Sequence, residues 1–333
     1  MRIGLLGAGR IGAFHAATLL ETADVTEVVI GDVDTARAAA LADKLGPSAR
    51  GGDVDAVFAA DPDAVVITTA TASHAELVIR SAAAGLPVFC EKPIALDVAG
   101  TLVALERVAA AGTVLQVGFQ RRFDPAYTAA RAAVAAGELG ELFTVRMTGL
   151  DREPPPAGYL PTSGGIFRDL HIHDFDILRW VTGGEVSEVF AYGAGRTSPA
   201  YAEHGDYDTS VALLRMTDGP LVTVAGGRSN PPGYDIRMEL AGSVGMLAVG
   251  LDDRSPLRSP APVPWPAGPA YAGFLDRFAG AYVAELRAFL DVARGRLPNP
   301  CDGAEALAAL YVAEAAQRSA DEHRPVTVAA VSA

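Results

Sequence analysis

Only two cysteines, Cys90 and Cys301, occur in the chain. That excludes a disulfide framework, and without a CxxC pair it excludes the common structural zinc patterns. A reducing, cytoplasmic setting is the expectation. Long hydrophobic runs are also missing. No stretch offers ~18 uninterrupted apolar residues, so no membrane span is expected. The apolar run behind Arg2 is too short for a signal peptide, and Arg10 interrupts it. Positive charge is scarce: 27 Lys and Arg stand against 40 Asp and Glu, a net charge of −13. Such a surface repels phosphate backbones and anionic lipid, which argues against nucleic acid and membranes as partners and leaves a small molecule. No internal repeat is present.

What is abundant is apolar side chain, half of the 333 residues. At roughly 100–200 residues per domain the length favours two domains. In the first third, short apolar runs (Arg2–Leu6, Glu27–Ile30, Ala64–Thr68, Pro87–Cys90, Thr113–Val117) alternate with alanine-rich helical segments. Continuous apolar strands are buried on both faces, and alternation with helices implies a parallel sheet. After Phe119 the pattern changes. Helices are expected over about Pro125–Ala136 and Asp169–Val181. Strand-like stretches follow at Leu142–Gly149, Val186–Ala194, Thr209–Met216, Leu221–Ala225, Ile236–Leu240 and Met246–Val249, and two helical patterns, Phe274–Ala293 and Ala304–Ala320, close the chain. The fold class is therefore α/β: an N-terminal Rossmann-type domain over 1–120, then an α/β domain over 121–333 with a large open, mostly antiparallel sheet. A C-terminal helix packing back on the first domain is compatible with this pattern. The proline-rich segment 255–268, around Trp265, reads as an irregular excursion: a lid, a partner arm or a surface loop.

The strongest motif is Gly7-Ala8-Gly9-Arg10-Ile11-Gly12, which follows a strand and opens a helix. Gly7 permits the tight turn, Gly9 lets backbone approach a pyrophosphate, and Gly12 lets helix and strand pack closely. Asp32 lies 20 residues beyond Gly12, where a carboxylate accepts hydrogen bonds from ribose hydroxyls and repels a 2′-phosphate. NAD is thus the expected cofactor. NADP is the alternative, because Arg10 and Arg37 offset that repulsion. Val33, Thr69, Ala70, Thr71 and His74 fall at carboxyl ends of strands, where such sheets bind ligands.

Glu91-Lys92-Pro93 places a lysine at the same sheet edge, where a partly desolvated ammonium can serve in proton transfer. Further on, Asp169, His173 and Asp176 occupy positions i, i+4 and i+7, one face of the expected helix. The structural alternative there is a capped helix with a satisfied core histidine, Asp169 serving as the N-cap. His171 and His173 are two residues apart and diverge on a helix, which argues against a dedicated metal site.

These motifs, with the run Gly118 to Asp124 and the segment Ser163-Gly-Gly-Ile-Phe-Arg-Asp169 leading into His173-Asp-Phe-Asp176, resemble the glucose–fructose oxidoreductase / inositol dehydrogenase / rhizopine-catabolism (Gfo/Idh/MocA) family over essentially the full length. The match is nearest to the inositol 2-dehydrogenase branch. The resemblance implies an NAD-dependent oxidation of a ring hydroxyl of a polyol or sugar, with myo- or scyllo-inositol the leading substrate. It implies Lys92, Asp169 and His173 as catalytic residues. It places Arg121, Asp176 and Tyr234 at the polyol, where Arg152 and Glu153 are also of suitable type, Glu153 standing where the branch carries an aspartate. Glu91, Lys92 and Gln120 join the cofactor contacts. The second sheet is expected to bury in a homodimer or homotetramer. An aldose, amino-sugar or nucleotide-sugar dehydrogenase, an NAD-dependent glycosidase and a non-catalytic NAD(H) sensor are the rival functions.

Overall fold

The computed structural model describes residues 1–260 and 268–328. Six short strands form a parallel sheet: β1 (Arg2–Leu6), β2 (Glu27–Gly31), β3 (Ala49–Gly52), β4 (Ala64–Ile67), β5 (Val88–Glu91) and β6 (Leu115–Gly118), in the order β3-β2-β1-β4-β5-β6. Ile3, Leu5, Val28, Ile30 and Val66 are fully buried, as strands covered on both faces require. The strand order reverses between β1 and β4. The crevice beyond their carboxyl ends is where sheets of this kind take a ligand. β3 (Ala-Arg-Gly-Gly) carries almost no apolar signal and was not anticipated; it is held by its ladder to β2.

The chain divides into two compact units. The first comprises Met1–Gln120 and Tyr282–Leu307; the second comprises Arg121–Ala281 and the chain from Ala308 onward. The second domain expected over 121–333 is interrupted here by Tyr282–Leu307, which group with the first unit. The reason is apolar burial: Leu286, Phe289 and Leu290 on the helix Ala279–Ala293 join Ile3, Leu5, Val28, Ile30 and Phe89 in one core.

The second unit is built on a seven-stranded sheet: β7 (Leu142–Leu150), β8 (Val186–Ala194), β9 (Thr209–Met216), β10 (Leu221–Gly227), β11 (Asp235–Gly242), β12 (Met246–Val249) and β13 (Val326–Thr327), in the order β12-β11-β7-β10-β9-β8-β13. Only β7 and β10 run parallel; the other pairings are antiparallel. β9 alternates exposed and buried residues along its whole length, the period of a strand with one face covered.

Two expected helices are broken. Asp169–Val181 is instead a short helix Ile166–Asp169, a break at Leu170–His171, and a helix Ile172–Thr182. Phe274–Ala293 divides at Phe278. Residues 261–267, including Trp265, lie outside the described residues, and with them half of the expected lid or arm.

Candidate functional site

In the first unit the turn after β1 is shaped by what glycine omits. Gly7 has φ +106°, and a Cβ on Gly12 would lie 1.9 Å from the Gly7 carbonyl oxygen, so both positions exclude a side chain. Gly9 differs: a Cβ there would meet nothing within 4 Å. Open space therefore faces the start of the helix Arg10–Leu20, which has no side-chain cap and no acidic residue in its first turn. Its N–H groups and dipole suit a diphosphate. Arg10 is exposed and Ile11 half-buried at this end. The residues present thus fit the dinucleotide.

Asp32 is buried at the end of β2. Its Oδ2 accepts from the Ala8 N–H (2.7 Å) and its Oδ1 from the Asp34 N–H (2.9 Å). The carboxylate thereby fastens the fingerprint turn to the second strand. Arg37 Nη1 lies 3.9 Å from Asp32, and Val33 is exposed beside it. Beyond β4, Ala70 is exposed, while Thr69 and Thr71 are half-buried. Thr68, which the sequence did not single out, bonds the Leu6 and Gly7 carbonyls through its hydroxyl and fixes the turn from the β4 side.

His74 is not placed as a surface contact. It is buried, with Nδ1 2.8 Å from the Pro93 carbonyl and Nε2 3.0 Å from the Thr69 carbonyl. Burial pushes its pKa down, against the opposing effect of the two carbonyls. It ties the loop after β4 to the turn that carries Lys92. Glu91, at the end of β5, pairs with His15 Nε2 at 2.7 Å, a second tie from that turn to the dinucleotide helix. Lys92 is half-buried. Gln120 is buried at the end of this unit's first segment.

The second unit holds Asp169 and His173. Asp169 ends its short helix and is not a cap of the next one. Its Oδ1 accepts from the Tyr159 hydroxyl (2.9 Å) and its Oδ2 from Arg228 Nη1 (2.8 Å). Arg228, just beyond β10, is fully buried, and Asp169 and Asp206 outweigh burial to raise its pKa. Burial and the neighbouring Asp169 carboxylate push the Tyr159 phenol well above its ordinary range. Neither Arg228 nor Tyr159 was anticipated. The signal is not a local one, since Arg228 stands 59 residues from Asp169 in the chain. His173 is half-buried with its Nδ1 enclosed.

Two expected polyol contacts are placed differently. Asp176 is fully buried and takes a two-pronged bond from Arg122 at 2.6 and 2.9 Å. The bond anchors its helix to the segment after Phe119, and the helix break separates Asp169 from the helix that carries both His173 and Asp176. Arg121 is equally buried and donates to Asp174. Tyr234 is buried, and desolvation raises its pKa. Arg152 and Glu153 are exposed on the loop after β7. Among the described residues no group of three or more His, Cys, Asp or Glu side chains is placed to hold a metal ion, and no helix is long and apolar enough to cross a membrane.

Residues 1–119 match the oxidoreductase family with an NAD-binding Rossmann fold, and residues 127–248 match the GFO/IDH/MocA C-terminal domain. The chain is 39% identical to a myo-inositol dehydrogenase of Streptomyces leeuwenhoekii over 96% of this chain and 97% of that protein. It is also 39% identical to an inositol 2-dehydrogenase of Rhizobium meliloti over 99% of both. A crystal structure of scyllo-inositol dehydrogenase from Lactobacillus casei, with bound NAD(H) and scyllo-inositol, superposes with a TM-score of 0.87 at 28% identity over 99% of both chains.

Proposed function

Since this chain belongs to the GFO/IDH/MocA family of oxidoreductases, we propose that it is an NAD-dependent inositol 2-dehydrogenase, oxidising one ring hydroxyl of myo- or scyllo-inositol. The observation that carries this reading is identity to inositol dehydrogenases at 39% over nearly the whole of each chain. NAD, when bound, supplies the hydride acceptor. Its diphosphate would rest on the Gly9 turn and its ribose on Asp32. In this reading His173 accepts the hydroxyl proton, at Nε2 because Nδ1 is enclosed. Lys92 donates from Nζ to the same oxygen and stabilises the charge that develops there. Asp169, held at both oxygens by Tyr159 and Arg228, receives a neighbouring hydroxyl and sets the ring's orientation. Arg152 and Glu153 are the exposed polar groups available to read further hydroxyls. Arg121 and Tyr234, being buried, are not assigned a direct contact with the ring.

The reading includes a cytoplasmic setting, in keeping with buried Cys90 and Cys301, which are not joined in a disulfide. It also includes association of two or more copies through the outer face of the second sheet. The test incubates the purified protein with NAD, and separately NADP, against myo-, scyllo- and chiro-inositol, glucose, xylose and an amino-sugar, following reduced-nicotinamide absorbance. NAD reduction with an inositol is the expected result. Reduction with an aldose or amino-sugar alone overturns the substrate. No reduction by a protein that binds NAD overturns the dehydrogenase reading.

A further inference from the structure

The helix break between Asp169 and His173 sits over an unusual floor. Gly149 on β7 and Gly226 on β10 are directly paired across the parallel ladder. Each omits a side chain toward the chain around the break, Gly226 toward His171 and Gly149 toward Asp174 and Leu170. A Cβ on Gly226 would lie 2.3 Å from both Cε1 and Nε2 of His171, and a Cβ on Gly149 would lie 3.1 Å from Asp174 Oδ2. The two glycines thus open a seat in the sheet into which His171 and Asp174 descend. His171 Nδ1 lies 2.7 Å from Asp174 Oδ2, and His171 Nε2 lies 2.8 Å from Ser210 Oγ on β9. Arg121 completes the chain of contacts by donating to Asp174 Oδ1. All four side chains are at most 3% exposed, so solvent and substrate do not reach them.

Ser, His and Asp hydrogen-bonded in series are the arrangement of a nucleophilic triad, but a sealed triad performs no chemistry on a substrate. Its position in the chain points elsewhere. His171 immediately precedes the helix Ile172–Thr182, two residues after Asp169 and two before His173. Phe167, from the preceding short helix, stacks on the His171 ring with 5.7 Å between centroids. Fixing this ring therefore fixes the backbone between the two groups assigned above to orient and deprotonate the substrate. A shift of about 1 Å at such a group is enough to cost about 10²-fold in rate.

We propose that His171, Asp174 and Ser210, seated on the Gly149–Gly226 pair, are positioning residues that set the geometry of Asp169 and His173. The proposal rests on the dehydrogenase reading for its kinetic consequence. Ser210→Ala removes the Nε2 partner without adding bulk, and Gly226→Ala drives a methyl into the ring. Leu214→Ala, in the core on the same strand, is the control for lost stability. Both network variants are expected to lower kcat at least ~10-fold, on the scale of such displacements, with the Kd for NAD unchanged. Leu214→Ala, compared at equal loss of Tm, keeps kcat. The imidazole Cε1–H resonance of His173, assigned by its absence in His173→Asn, is expected to move in Ser210→Ala, while those of His15 and His74 stay in place. Should Gly226→Ala not fold, Ser210→Ala carries the test alone. Unchanged kcat and an unmoved His173 resonance overturn the proposal, as does a fall in kcat that Leu214→Ala reproduces. If the wild type oxidises no inositol, the resonance alone decides: its movement sustains the positioning role and only the substrate reading falls.

Discussion

At the scale of single residues, the glycine turn separates fold from function. Gly9 and Gly12 belong to one motif, but only Gly12 lacks room for a methyl group. Gly9→Ala is therefore expected to leave the thermal midpoint of the cofactor-free protein within a degree or two. It should weaken NAD binding at least ~10-fold, about 1.4 kcal/mol, because the methyl projects into the space reserved for the diphosphate. Gly12→Ala is expected to lower both. Calorimetric titration beside a melting curve checks this, and an unaltered NAD affinity in Gly9→Ala would count against the assigned phosphate site. The chemical residues make a different demand. Lys92→Ala and His173→Ala are each expected to lower turnover roughly 10²–10⁴-fold with NAD affinity retained. Near-normal turnover in steady-state assays of either variant removes that residue from the mechanism.

At the scale of elements, buried charge pairs hold the helices of the second unit. Burial opposes ionisation of Asp174, but Arg121 and His171 outweigh it and hold the carboxyl below its usual range. Because the folded pKa is depressed, the unfolded state binds more protons in acid. The stabilisation is complete above the unfolded carboxylate value near ~4 and is lost as pH falls through the folded value. Asp174→Asn leaves Arg121 buried without its partner, a defect that costs about 3–5 kcal/mol. Urea denaturation at pH 7 should register that loss, and the variant's stability should fall less steeply than the wild type's below pH ~4. Equal urea midpoints at pH 7 would refute the assignment. The same elements mark the limit of what the sequence discloses. The alternation of apolar runs and helices announces the first sheet, and the spacing from Gly12 to Asp32 announces its ligand, because both are local patterns. The break at Leu170–His171 is not local. Ile172, Phe175 and Leu178 continue a helical apolar stripe, and beside the break lie Gly149 and Gly226, on strands that precede and follow it in the chain. Arg228 escaped notice for the same reason: its partner Asp169 is 59 residues away. The stripe Leu286, Phe289 and Leu290 announces burial but not against which sheet.

At the scale of the whole molecule, the outer face of the second sheet is the feature that a single copy leaves unexplained. Val211, Leu213 and Leu221 are each at least half exposed, as is Tyr192. They are also neighbours: Tyr192 pairs across the ladder with Val211, Phe190 with Leu213, and Leu213 with Thr223. Arg146, Arg237 and Glu239 edge this apolar area on β7 and β11 with paired charges. A contiguous apolar patch with a charged margin marks a protein contact, and closed symmetry between identical chains is its commonest form. A stable contact of this kind removes ~800 Å² from each partner, so one central charge should be enough to prevent it. Leu213→Arg places that charge in the middle of the patch on a strand whose other face carries the core. Light scattering after gel filtration is expected to give a dimer or tetramer for the wild type and a monomer for Leu213→Arg. NAD affinity should be unchanged, since the dinucleotide contacts lie in the first unit. A monomeric wild type, or a variant that keeps its assembly, would mean that this face serves something other than a second copy.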